Sequence, residues 1–195
     1  MIRDFKIIVF VISSIIFSGY SLPKPIKQTK EVINGYTLPP KPDPKINNST
    51  LLGIDSNDNG VRDDVERWIV KRFDNKAERS IALQIAKALQ KVVLVTDEQS
   101  ALEAMDETDR ALDCRGYYFI KHTKDMNTYR EAAIFRKNHK IFDSEFKDIQ
   151  FNTHDRIKAY FSYNRNLSGK VLGGGGGILS STKDKCDEDI DALEL

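Results

Sequence analysis

Asp55, Asn57, Asn59, Asp63 and Glu66 place oxygen-bearing side chains at positions 1, 3, 5, 9 and 12 of one short stretch, Asp55-Ser56-Asn57-Asp58-Asn59-Gly60-Val61-Arg62-Asp63-Asp64-Val65-Glu66. The stretch satisfies the pattern D-x-[DN]-x-[DN]-G-x5-E at every constrained position. The chemistry this spacing serves is coordination of a hard divalent cation. Ca2+ takes six to eight oxygens in a flexible cage. Asp55, Asn57 and Asn59 alternate along a turn, so their side chains converge, and Gly60 stands where the chain must bend sharply. Val61 contributes a main-chain carbonyl, Asp63 binds directly or through water, and Glu66 closes the cage from the first turn of the following helix. One Ca2+ held by Asp55, Asn57, Asn59, Val61, Asp63 and Glu66 is therefore the expected cofactor. The plainer alternative is an Asn/Asp/Gly-rich turn with no ion. Asp63 and Asp64 favour the start of a helix with or without metal.

Other chemistry is not written locally. His122, His139 and His154 fall on different expected helices or helix ends, with no HxxxH or HxxE pair for zinc. No GxSxG or phosphate-loop signature is present, and Ser168-Gly169-Lys170 lacks the upstream glycine. Cys114 and Cys186 are the only two cysteines. In an exported chain an isolated pair reads as one disulfide, and a loop this long would contribute ~4 kcal/mol in the chain-entropy model.

Export is expected from the first residues. Arg3 and Lys6 precede the apolar run Ile7 to Phe17, and Gly19-Tyr20-Ser21 offers a cleavage site, so residues 1–21 read as a signal peptide. The run is too short for a bilayer span of ~20 residues. Removing Arg3, Lys6 and Asp4 leaves basic and acidic residues balanced. That balance points away from nucleic acid. No membrane span is expected after cleavage, and the expected location is periplasmic or secreted.

The elements that must position the loop follow from proline and periodicity. All six prolines lie between Pro23 and Pro44. Residues 22–50 are thus expected to be an extended proline-rich arm. Residues 51–172 hold the loop and a helical bundle, and 173–195 a glycine-rich loop and acidic tail. Helices are expected over Asp64 to Phe73, over Lys76 to Val95 with Ile81, Ile85, Leu89 and Val92 inward, and from a Thr96–Gln99 capping box to about His122. A fourth runs from an Asn127 cap to about Phe146. A fifth runs from Asp155 to Asn166, capped by Thr153, with Ile157, Tyr160, Phe161 and Asn164 inward, and Gly169 stops it. The fold class is all-α, four to five antiparallel helices behind the arm and the calcium-type loop.

On these residues the loop resembles that of an EF-hand. An EF-hand has a helix on each side, whereas Asn48 to Ile54 is too short and glycine-bearing to form an entering one. The stretch is therefore more similar to the one-sided loops of dockerins and thrombospondin type 3 repeats. It is also similar to exported bacterial proteins with an NGVRDDVERW-like segment, here Asn59 to Trp68, a likeness that implies no activity. Arg62 stands where paired EF-hands place an aliphatic residue. With a single loop, this speaks against cooperative sensing. Three charged ligands imply an affinity of about 10⁻⁴–10⁻³ M, the extracellular range.

The resulting expectation is an exported, calcium-binding, non-enzymatic helical protein. Its partner would be a protein or another component of the cell envelope or secreted milieu. One alternative is a small envelope hydrolase whose site is assembled from separated residues, with His122, His139 or His154 as candidates. The other is a structural spacer. An enzyme needs a polar cleft with perturbed groups, a binding module an exposed apolar patch, and a spacer neither.

Overall fold

Ile81, Ile85, Leu89 and Val92 form the expected stripe, but Ala77, Ala82, Ala86 and Ala88 are buried too. Glu78, Arg79, Gln84 and Gln90 are buried as well, so this helix is covered on most of its sides. The helix, over Lys76–Val92, is the centre of the fold. In the computed structural model, residues 30–170, 177 and 179–194 are described. The expected signal peptide and most of the glycine run lie outside the described residues.

A two-stranded antiparallel hairpin, β1 (Val32–Ile33) and β2 (Tyr36–Thr37), comes first. Among the described residues eight helices follow: α1 (Pro44–Asn47), α2 (Asp63–Arg72), α3 (Lys76–Val92), α4 (Glu98–Thr123), α5 (Tyr129–Asn138), α6 (Ser144–Gln150), α7 (His154–Asn166) and α8 (Ile190–Leu193). A 3-10 turn at Lys183–Lys185 precedes α8. The fold is all-α, with more and shorter helices than the expected four to five. The segment before the loop is not extended throughout. It folds into the hairpin and α1, and Leu38 and Asn47 are buried.

α3 packs chiefly along α4, and α2, α6, α7 and α8 also lie against α3. The buried positions of α4 include Ala101, Ala104, Ala111 and Cys114. Small side chains let two backbones approach closely. Val65, Ile69, Ile141, Phe146 and Ile190 complete one continuous core with α3. The disulfide between Cys114 and Cys186, with Cα atoms 4.8 Å apart, fixes the C-terminal segment against α4. Among the described residues no helix is long and apolar enough to cross a membrane.

Local sequence explains most boundaries. Asp43 caps α1 by accepting from Lys45 N and Ile46 N, and Pro44 sits at the first turn, where no N–H is needed. Thr153 caps α7 as expected, accepting from Arg156 N. The capping box of α4 is Asp97 with Ser100, one residue beyond the expected Thr96–Gln99 pair. The expected fourth helix is two. Thr128, not Asn127, caps α5 with Glu131 as its reciprocal partner, α5 ends at Asn138, and Asp143 caps the separate α6. Ile141, buried in the connection, anchors that break in the core.

α7 presents a different face from the one expected. Phe161 is 65% exposed and Ile157 is exposed, whereas Arg156, Tyr163 and Leu167 are buried. The cause is Arg156. Its guanidinium donates to the carbonyls of Asn47 (2.6 Å), Thr50 (3.0 Å) and Leu51 (2.9 Å) and to Oδ1 of Asn48 (3.1 Å) and Asn152 (2.5 Å). Five acceptors offset the desolvation of a cation that is fully buried.

Candidate metal centre

The loop is built from its ends inward. Gly53, at φ +68°, turns the chain where a side chain has no room: a Cβ there would lie 2.3 Å from Cδ of Arg62 and 2.7 Å from Oδ1 of Asn47. Asp63 N then donates to Ile54 O at 2.8 Å and closes the base of the loop. Between these points Asp58 and Gly60 take positive φ, 54° and 84°. The Asp55 carboxylate holds the turn by accepting from Gly60 N (2.8 Å) and Asn59 N (3.2 Å). Oδ1 of Asn59 accepts from Val61 N at 2.8 Å.

Beneath the turn lie two carboxylates on the first turn of α2. Asp63 is 1% exposed and Glu66 0%. Oδ1 of Asp63 accepts from Ser56 N (2.9 Å), but its Oδ2 is buried with no hydrogen-bond partner. Glu66 accepts from Tyr36 OH (2.8 Å), from Nδ2 of Asn59 (2.6 Å) and from Nδ2 of Asn57 (3.2 Å). Burial raises the pKa of both groups above the ordinary carboxylate value. Burial, reinforced by Glu66, likewise raises the Tyr36 phenol. Among the described residues no lysine, arginine or histidine forms an ion pair with Asp55, Asp63 or Glu66.

The structure thus brings Asp55, Asn57, Asn59, Asp63 and Glu66 into one hydrogen-bonded loop, with Val61 buried on it. Among the described residues no three His, Cys, Asp or Glu side chains stand together as a metal-holding group. Asparagine amides lie against Glu66 instead. Nonetheless the donor set fits a hard cation on two grounds. Two buried carboxylates have no counter-ion, and one carboxylate oxygen has no partner. Buried charges are ordinarily paired or bound to metal. An asparagine amide turned end for end presents oxygen where it now presents N–H.

Two residues around the loop escape a sequence reading. Tyr36 reaches Glu66 from thirty positions upstream, and nothing in the arm marks it. Arg62 is 1% exposed and serves the interior: it donates to Gln150 O (3.2 Å), Ile149 O (2.7 Å) and Oδ1 of Asn152 (3.3 Å), and pairs with Asp64 (2.5 Å).

Of the histidines, two meet. His122 and His139 stack on Phe135, with ring centroids 5.4 and 4.1 Å away. His122 contacts Glu194 at 2.7 Å, and His139 is held by Glu78. His154 opens α7, apart from them. Tyr118 packs against both histidine rings, and its hydroxyl donates to the Glu78 oxygen that also meets Nδ1 of His139.

No family model matches the chain, and neither a curated protein nor a solved structure matches it.

Proposed function

We propose that this chain is an exported, calcium-binding helical protein of the periplasm or secreted milieu. In this reading it acts as a non-enzymatic interaction module whose partner is another protein or envelope component. The observation that carries the calcium reading is the burial of Asp63 and Glu66, without a counter-ion, in a stretch with the full oxygen-ligand spacing. Asp55, Asn57, Asn59, Val61, Asp63 and Glu66 would hold the ion. Ca2+ would supply the missing positive charge and a partner for the orphaned oxygen of Asp63. Export rests on residues 1–21 and on the Cys114–Cys186 bridge, a bond that persists in oxidising compartments.

The ion's work is local. Glu66 links the loop to the hairpin through Tyr36, and Asp55 holds the turn that leads into α2. A cation here fastens the segment before α2 to the bundle and so sets how that segment is presented to a partner. The test is calorimetry of the chelator-treated protein with millimolar Ca2+. Binding heat with a rise in melting temperature that chelator reverses is expected. No heat and no stabilisation would reduce the loop to a turn.

A further inference from the structure

Arg115, on α4, differs from the other inward-facing arginines. Arg62 and Arg156 are surrounded by oxygen acceptors, and Arg79 reaches Phe73 O. The Arg115 side chain has no hydrogen bond or ion pair with any described residue, and its Nε is buried without a partner. Two aromatic rings flank its guanidinium, with centroids at 6.0 Å (Phe119) and 5.8 Å (Phe142). Burial lowers its pKa below the ordinary arginine value, as befits a cation without a counter-ion.

The guanidinium lines a cavity of about 490 Å³ between α4 and the α5–α6 connection, where Arg136, His139 and Lys140 also face it. Neither Arg136 nor Lys140 forms an ion pair with a described residue. The one lining carboxylate, Asp143, is already used: Arg72 holds it at 2.7 Å and it caps Phe146 N at 3.1 Å. Glu78, behind the wall, is engaged by His139 and by Tyr118 OH. The cavity therefore concentrates positive charge, and among the described residues no lining acid is left to neutralise it. Its volume lies within the range of small-molecule sites.

We propose that this cavity binds a small organic oxyanion, a phosphate monoester or a carboxylate joined to a ring or short chain. The guanidinium fork of Arg115 matches the paired oxygens of either group. Arg136 and Lys140 close the charged rim. Phe119 and Phe142 give the organic part an apolar wall. The site is independent of the Asp55–Glu66 loop.

The test is titration calorimetry of the full disulfide-bonded chain with phenyl phosphate, benzoate and inorganic phosphate as separate probes. One organic probe should bind at a single site with millimolar or tighter affinity, several-fold tighter than inorganic phosphate. Whichever binds tighter distinguishes phosphate from carboxylate. Arg115→Lys should weaken that probe about tenfold, as expected for losing one charge-assisted hydrogen bond. Arg136→Ala combined with Lys140→Ala, both at exposed positions, should weaken it several-fold and keeps the test open if Arg115→Lys does not fold. Absence of binding by both organic probes would overturn the proposal. So would binding unaltered by the surface pair, or inorganic phosphate binding as tightly as either organic probe.

Discussion

Arg62 and Arg156 share one acceptor: Oδ1 of Asn152 receives Nη2 of Arg62 at 3.3 Å and Nη1 of Arg156 at 2.5 Å. Two buried cations meet at a neutral amide. Desolvation, with the nearby Arg62 charge, pulls the Arg156 pKa down to about 10. Asp64 pairs with Arg62, and the main-chain carbonyls of α1, the following turn and the end of α6 do the rest. Arg156→Lys keeps the charge but loses the planar fork that reaches three carbonyls. It should lower unfolding stability by about 2–4 kcal/mol. A urea midpoint within error of the parent would show that those carbonyls are satisfied without it.

Gly53 should tolerate no side chain. Its φ is positive, and a Cβ would collide with Arg62, Asn47 and Arg156 together. Gly53→Ala should lower stability by about 2 kcal/mol or more and weaken calcium binding, because the base of the loop shifts. Gly35→Ala is the control. Its φ is also positive, but nothing lies within 4 Å of the added carbon, so the cost should be smaller. Equal melting temperatures for the two variants would refute the crowding argument.

Asp63→Asn should separate the cost of buried charge from its use. In chelator, the variant loses repulsion from Asp55 and Asp64 and should melt at or above the parent temperature. In millimolar Ca2+ it should gain less than the parent does. A variant that melts well below the parent in chelator, yet gains equally from Ca2+, would remove Asp63 from the ligand set.

Calcium should act as a clamp, not a switch. Protection from hydrogen exchange on adding Ca2+ should be confined to about Gly53 to Phe73. Arg62, committed to the interior, leaves no aliphatic residue for pairing a second loop. Calcium-dependent ANS binding over the distant helices would argue for a sensor.

The C-terminal segment should loosen at both extremes of pH. Asp191 accepts from Lys121 and Lys183, with Tyr117 a further donor, and these hold its carboxyl well below the ordinary carboxylate value. A depressed folded value means that this stabilisation is complete above about pH 4 and fades as acid carries the pH downward from there. Lys121, hydrogen-bonded by Asp191 and Glu194, is raised. Its contribution is complete below about pH 10 and is lost as the pH climbs further. Protection of the amides of residues 187–194, taken relative to the intrinsic exchange rate at each pH, should be greatest between those limits. The bridge to Cys114 keeps the segment tethered throughout. A protection factor that stays flat from acid to alkali would rule out these ion pairs as its fastening.

Much of this was open to a reading of the chain. Proline exclusion after Pro44 and the Ile81-Ile85-Leu89-Val92 stripe give an all-α body. Thr153 and Gly169 bracket α7, and the lone cysteine pair is bridged. What stayed hidden depends on partners distant in sequence. Periodicity assigns an arginine to solvent, and only the free carbonyls around Asn47 and Leu51 make Arg156 an interior residue, which turns α7 by about one position. The α5–α6 break has no proline or glycine to announce it. It exists because Ile141 is drawn inward. In the loop, the side chains that the structure gathers around Glu66 were legible from spacing. Tyr36 on Glu66, and the meeting of His122 with His139 on Phe135, were not.

The bond from Arg156 to Asn47 O spans 109 positions along the chain. Helical proteins rich in local contacts assemble quickly, but contacts this remote must wait for loop closure. α3 and α4 can pair early from neighbouring sequence, whereas the two guanidiniums stay hydrated until α1, α6 and α7 arrive. The arginine cluster is then the seam closed last and opened first. Substitutions there should accelerate unfolding and leave the refolding rate nearly unchanged, while substitutions at Ile81 or Ile85 should slow refolding.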